Sequence, residues 1–409
     1  MSITSTRISN FSSDRNAVSA MRRQQVEVAQ TQKEVSSGKR ELTDPSQITS
    51  AESLKAFVTR ADRYGENASL ANYRLGLAEA GLASALDALQ TAREFVVNAN
   101  TASVNPESRP ILAIQVREMR EHLLEIVNRK DAEGNSLFAG LKTGVVPFVK
   151  SGASIVYQGD ADVRRIQLSE TRSIEDGFSG SKLFVEVPEG NGTFVTVVNP
   201  ANTGSVRMSP GSVTNAATWA SFPLPREYTL SITEDAGIKK YEIRAGVPPS
   251  GPVLQTGDYA SGAGIEFRGA SFTLTGIANV GDSFQIKQAQ TEDVFETLNR
   301  LAAALDTPLD NPAVTAQITS EYDSILEQVD RVVENLNLAR ASVGSRLDVV
   351  ETTSNFRSEQ KLLAEKTLST LRDVDFAEAV SRLNAQMQAL QVAQQVYAKA
   401  STKSLFDYL

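Results

Sequence analysis

The 409-residue sequence predicts an α+β fold: a long antiparallel helical bundle or coiled coil formed by both chain ends, with an inserted antiparallel β-rich middle domain. Three observations predict it. The window 140–290 holds 19 of the 25 glycines and 9 of the 14 prolines, so helix breakers crowd the middle and thin out on both flanks. The flanks repeat apolar residues at heptad spacing. The middle carries short apolar runs bounded by turn residues.

The helical pattern is clearest over residues 54–99. Leu54, Ala61, Ala68, Leu75, Leu82, Leu89 and Val96 fall at heptad a; Phe57, Tyr64, Ala71, Ala78, Ala85, Ala92 and Ala99 fall at d. Small residues alternate with large ones from Ala71 onward, which lets a neighbouring helix approach closely. Gly65, Gly76 and Gly81 each weaken the isolated helix by about 1 kcal/mol relative to alanine, so it depends on its partners. A second helix is expected after Ser108, with Pro110 in its first turn, one face of Leu112, Val116, Met119, Leu123 and Ile126, and an end near Gly134.

Eight strands are expected in the middle: 154–158, 163–168, 182–187, 193–198, 226–232, 239–244, 271–275 and 283–287. Asn191-Gly192 and Asp235-Ala236-Gly237 read as hairpin turns. Helices resume after Thr291, read as an N-cap, with a stripe of Val294, Leu298, Leu301 and Leu305. A longer helix begins near 318, with an a/d series of Tyr322, Ile325, Val329, Val332, Leu336, Ala339 and Val343. Two long stripes on either side of an insertion bury most easily against each other, which predicts antiparallel pairing.

The expected domains are therefore three. Residues 1–42 and 365–409 form terminal helices; 43–145 and 289–364 form a helical bundle; 146–288 form the inserted β-rich domain.

Composition narrows the function. The absence of cysteine removes disulfides and thiolate chemistry, and the single histidine, His122, makes His-based catalysis improbable. A net charge of -8 without a dominant basic patch argues against nucleic acid. No run of about 20 apolar residues predicts membrane insertion. The N-terminus lacks the basic and apolar regions of a cleavable secretory signal.

Motifs for chemistry are weak. Ser36-Ser37-Gly38-Lys39 matches S-x-x-K without its companion motifs and reads as a turn between helices. Gly262-Ala263-Gly264 begins a G-x-G, but Phe267 occupies the third glycine position. Asp131, Glu133, Asp160 and Asp162 do not follow an EF-hand pattern. His122 reads as a half-exposed helix residue and Trp219 as part of the middle domain's core. No catalytic, cofactor-binding or metal residue is assigned, no cofactor is expected, and the chain is not read as an enzyme.

The terminal stripes are more informative. The first is Phe11, Val18, Met21, Val28 and Val35; the second is Phe376, Val380, Leu383, Met387, Leu390 and Tyr397. Residues 384–398 contain five glutamines and no charge. A water-facing helix usually carries charge on its outer face. A Gln/Ala surface suits a helix covered on several sides, because glutamine meets hydrogen-bonding needs without a charge's desolvation cost. The plainer reading is a polar helix on a bundle.

At these residues the sequence resembles the flagellin superfamily of bacterial axial proteins. Val35-Ser36-Ser37-Gly38-Lys39-Arg40 is similar to the family's "LSSGKR" turn, following Arg7-Ile8-Ser9. Asn135-Ser136-Leu137-Phe138-Ala139-Gly140 resembles its "YLFAG" segment, and Tyr157-Gln158-Gly159-Asp160 its "YxGD" entry to the variable domain. The C-terminal match runs through Ala389-Leu390-Gln391-Val392 and Tyr397-Ala398-Lys399 to Ser404-Leu405-Phe406-Asp407-Tyr408-Leu409. That ending looks like the members that join hook to filament, whereas filament members end in "SLLR"-like residues. Val35 replaces the usual leucine, and 42–47 departs from the family's "PSDDP"-like stretch.

The resemblance implies a structural subunit of the bacterial flagellum. Its expected place is the hook–filament junction, with hook-associated protein 1 and flagellin as partners besides copies of itself. An export chaperone would hold the C-terminal region, and export would proceed through the flagellar type III route without a cleaved signal peptide. The implied assembly interface comprises both terminal stripes together with Leu405, Phe406, Tyr408 and Leu409. A filament flagellin is the alternative within the superfamily. An enzyme or glycan-binding module carried by the β domain is the alternative of another class.

Overall fold

A computed structural model describes residues 10–101, 106–247 and 251–402. Among the described residues, seven α-helices run in the order α1 (Asn10–Ser37), α2 (Pro45–Asn100), α3 (Arg109–Val127), α4 (Ala216–Ala220), α5 (Val294–Asp306), α6 (Pro312–Arg372) and α7 (Phe376–Thr402). Helical flanks enclose an antiparallel β-rich middle, as the uneven glycine and proline distribution predicts. The chain divides into two compact units, residues 1–66 with 353–409, and residues 67–352.

In the unit spanning 67–352, the heptad reading of α2 holds residue by residue. Every a and d position from Ala68 to Ala99 is buried, with Leu75, Leu82 and Leu89 at 0% exposure. The a/d series of α6 from Tyr322 to Val343 is buried as well. The two helices run antiparallel, tied by Arg93–Asp330 and Arg340–Glu79 ion pairs and by Asn100 Nδ2 donating to Asp323 at 2.8 Å. Helices α3 and α5 pack together and close the same apolar core.

Helix α3 ends at Val127 rather than near Gly134. A turn centred on Asp131 replaces its last expected residues, with Asp131 Oδ1 accepting the backbone N–H groups of Glu133 and Asn135. Thr291 is not the cap of α5. It pairs with Pro188 in a two-residue strand, and Asp293 caps the helix instead, its Oδ1 accepting the Glu296 N–H at 2.8 Å.

The β-rich part contains a five-stranded antiparallel sheet in the order 253–258, 238–245, 227–235, 283–288, 194–198. A second sheet joins 264–267, 270–275 and 207–208, with 212–213 also pairing the middle strand. Trp219, Tyr228, Phe267 and Phe194 fill the core between them, so Trp219 is a core residue as expected.

Asp235-Ala236-Gly237 forms a hairpin turn, with positive φ at Ala236 (51°) and Gly237 (81°). Asn191-Gly192 is a turn but not a hairpin: the strand before it pairs with 291–292 and the strand after it with 283–288. Residues 181–185 form one π-helical turn where a strand is expected. That short apolar run, Leu183-Phe184-Val185, packs into the helical core, and periodicity cannot separate a buried strand from a buried turn at such length. Strands 148–151, 173–175, 207–208, 212–213, 253–258, 264–267 and 291–292 lie outside the eight expected ones.

Two of the family-like motifs form one knot. The Tyr157 hydroxyl donates toward the carbonyls of Phe138 and Asp160, each at 3.0 Å, and the Asp160 N–H donates to Ala139 O at 2.9 Å. Gly140 holds φ +65°, and a Cβ there would lie 2.3 Å from Asp160 O. Only glycine fits that close approach.

Candidate assembly interface

The unit containing both chain ends is built around a turn. Helix α1 stops at Ser37 because Gly38 takes φ +68°, a left-handed cap conformation suited to glycine. The Lys39 N–H donates to Ser37 Oγ at 3.3 Å, so the S-x-x-K match lies in the turn between helices. The Arg40 N–H donates to Arg372 O at 2.6 Å, and the Val374 N–H to Gly38 O at 3.1 Å. These bonds pin the end of α1 to the start of α7. Asp375 Oδ1 caps α7 by accepting from Ala377 and Glu378 N–H groups.

Helix α7 then runs back along α1, antiparallel to it. Glu34, 7% exposed, binds the pair: it accepts from Arg382 Nη2 at 2.8 Å and from the Glu41 N–H at 3.1 Å. Beyond the turn, Asp44 starts α2. Its carboxylate lies below the usual range because the Ser46 hydroxyl and backbone N–H both donate to it. Along α2 and α6 within this unit, Lys361 pairs with Asp62, which raises the lysine above its ordinary value, and the Arg357 guanidinium lies over the Tyr64 ring.

The stripe residues divide. Val18, Met21, Val28 and Val35 of α1 are half-buried, as are Leu383, Leu390 and Tyr397 of α7. Phe376, Val380 and Met387 are exposed, at 55%, 42% and 52%. The side chain of Phe11, and Leu405, Phe406, Tyr408 and Leu409 entirely, lie outside the described residues. The least exposed positions of α7 are Ala379, Leu383, Gln386, Leu390, Ala393 and Tyr397. This alternating 4–3 series overlaps the apolar stripe but is offset from it. One edge of a wide apolar face meets α1; the other edge is open.

Further large apolar side chains of this unit are exposed beyond the sequence stripes. Val26, Val392 and Val396 are exposed, and so are Phe356, Leu362 and Leu363 of α6. The fully buried apolar residues of this unit are alanines alone: Ala51, Ala61, Ala364 and Ala379, among the described residues. Burying an alanine gains far less than burying a leucine or phenylalanine. Among its described residues, this unit has helices but no buried large apolar side chain. Glu34, Ala379 and the α6 residues are functional candidates that stripe counting missed. The 4–3 series through Ala379, Gln386 and Ala393 was the available signal, obscured by small and polar residues.

Elsewhere the acidic residues serve the fold. Asp131 and Asp176 enclose Arg74, with Asp176 Oδ2 at 2.9 Å from Arg74 Nη1. Among the described residues, no group of three His, Asp or Glu side chains could hold a metal. No described helix is long and apolar enough to cross a membrane.

Two exposed-faced terminal helices around a β insertion define a class, and sequence comparison gives the same one. The bacterial flagellin N-terminal helical region matches residues 8–143, and the flagellin C-terminal helical region matches 326–409. The two matches cover more than half of the chain, which belongs to the flagellin superfamily. Within it, the similarity runs to hook-associated protein 3. The chain is 22% identical over 378 residues to flagellar hook-associated protein 3 of Escherichia coli, covering 91% of this chain and 90% of that one. The crystal structure of flagellar hook-associated protein 3 from Legionella pneumophila superposes with a TM-score of 0.73 at 27% identity, covering 78% of this chain and 98% of the other. A structure described as the flagellar junction protein from the same organism gives 0.70 at 26% identity, covering 79% and 100%.

Proposed function

We propose that this protein is a structural subunit of the bacterial flagellum, seated at the hook–filament junction and exported without a cleaved signal peptide. Its work is mechanical rather than catalytic. It meets hook-associated protein 1 on one side, flagellin on the other, and copies of itself around the ring. An export chaperone covers the C-terminal region beforehand. Residues 1–42 with 365–409 build the inner tube, 43–145 with 289–364 the surrounding bundle, and 146–288 the outward domain.

One observation carries this reading: among its described residues, the only apolar side chains that the unit of both chain ends buries are alanines, and its large apolar side chains are half or wholly exposed. Its stability therefore depends on neighbours that supply the missing burial, and ordering entropy is offset when they do. The family membership and the hook-associated relatives point the same way. The first interface to examine is the set named from the sequence: Phe11, Val18, Met21, Val28, Val35, Phe376, Val380, Leu383, Met387, Leu390, Tyr397, Leu405, Phe406, Tyr408 and Leu409.

The test adds labelled protein in excess to isolated hooks bearing hook-associated protein 1. Electron microscopy then measures the added layer. A short layer that stops growing is the expected result. A long filament would make it a filament flagellin, and no binding would count against the junction reading.

A further inference from the structure

Beside the turn that links α1 to α2, the unit of both chain ends holds a groove of about 470 Å3. Leu42, Ile48 and Ala51 form its apolar part; besides Lys33, which faces Glu41, its cations are Lys39, Arg40 and Arg372. Lys39, Arg40 and Arg372 have no ion-pair partner among the described residues, and Arg372 Nε is buried without a hydrogen bond. The carboxylates nearby are mostly engaged: Glu34 by Arg382, and Glu41 by Lys33 at 3.8 Å, leaving Glu52. An apolar floor under unpaired cations fits a peptide that is apolar and carries an acid.

The chain contains such a peptide. Ser404-Leu405-Phe406-Asp407-Tyr408-Leu409 places one carboxylate among four large apolar side chains. It cannot reach the groove of its own subunit. Helix α7 starts beside the groove, where Phe376 lies against Gly38, and climbs 27 residues away from it. At 1.5 Å per residue that is a distance of about 40 Å. Even fully extended, seven more residues span at most about 25 Å.

We propose that the groove of one subunit receives residues 404–409 of a neighbouring copy, with Asp407 against Lys39, Arg40 and Arg372 and the apolar side chains over Leu42, Ile48 and Ala51. The contact is heterologous, head to tail, so each subunit both gives a tail and takes one. It rests on the assembly reading above and adds to it the specific site where successive copies lock.

A labelled synthetic peptide of residues 403–409 tests it by fluorescence anisotropy against the full-length protein. Arg40→Glu and Arg372→Glu are expected to weaken binding tenfold or more each, and an Asp407→Lys peptide to do the same. Arg40 is exposed, so its replacement leaves the helices intact. Binding unchanged by both reversals, or no binding to the unaltered protein, overturns the proposal. The hook-layer experiment is run on the same preparations. A layer formed without peptide binding removes the groove and keeps the junction reading; peptide binding without a layer does the reverse.

Discussion

Glu327 shows how a single side chain can oppose the fold it belongs to. It sits half-buried on α6 against the Gly190 turn, with Asp330 nearby, while Arg331 directs its donors to the Gly190 and Asn191 carbonyls. Burial pushes its carboxyl up to about 7; Arg331 opposes this and Asp330 adds to it. The folded pKa is raised above the unfolded one. The stabilising, protonated form is therefore complete below the ordinary carboxylate range and is lost as pH rises through about 7. Glu327→Gln should remove that loss, raising stability at pH 8 by roughly 1–3 kcal/mol with little change near pH 4. Thermal unfolding across that pH range checks it; parallel profiles for both proteins would contradict it. Glu34 acts in the opposite sense. Replacing it with alanine frees Arg382 and the Glu41 N–H, and should destabilise the unit of both chain ends by about 1–2 kcal/mol. Hydrogen exchange of α1 amides would register it, and unchanged protection would refute it.

At the level of the element, α7 separates self-burial from exposed surface. Met387 lies on its open edge, so Met387→Asp should leave the isolated protein's melting within about 0.5 kcal/mol. Added-layer formation on hooks should nevertheless fall steeply, because the charge enters a covered face. Equal loss in melting and pelleting would show that Met387 is already packed within the subunit. The contrast with α2 and α6 explains what the sequence could convey. From Ala68 to Ala99 and from Tyr322 to Val343 their a and d residues are buried because partner helices from the same chain cover them, so heptad counting finds the face and the partner together. In α7 the apolar arc is broader than α1 can cover, and counting merges two faces that the fold separates. The π turn at 181–185 failed for another reason: five residues carry too little periodicity to separate its backbone from a strand.

On the scale of the whole molecule, one unit has large buried side chains and the other has alanines. Removing residues 400–409 should therefore abolish incorporation into flagella while the 67–352 unit keeps its melting transition. Normal incorporation of that truncation would defeat the assembly reading. Fold class and chain-end pairing were legible in the sequence because both follow from periodicity and the placement of helix breakers. The small strands and the exact seam were not, because they depend on which neighbour arrives to cover each face.

The charge-free stretch 384–398 has an environmental consequence. Contacts made through glutamine, alanine and aliphatic groups contain no charges for dissolved ions to screen. A joint built on them should hold equally in dilute and in saline water. Temperature should govern it instead, since apolar association weakens on cooling. Cold, rather than dilution or salt, would be the condition that loosens this part of the joint.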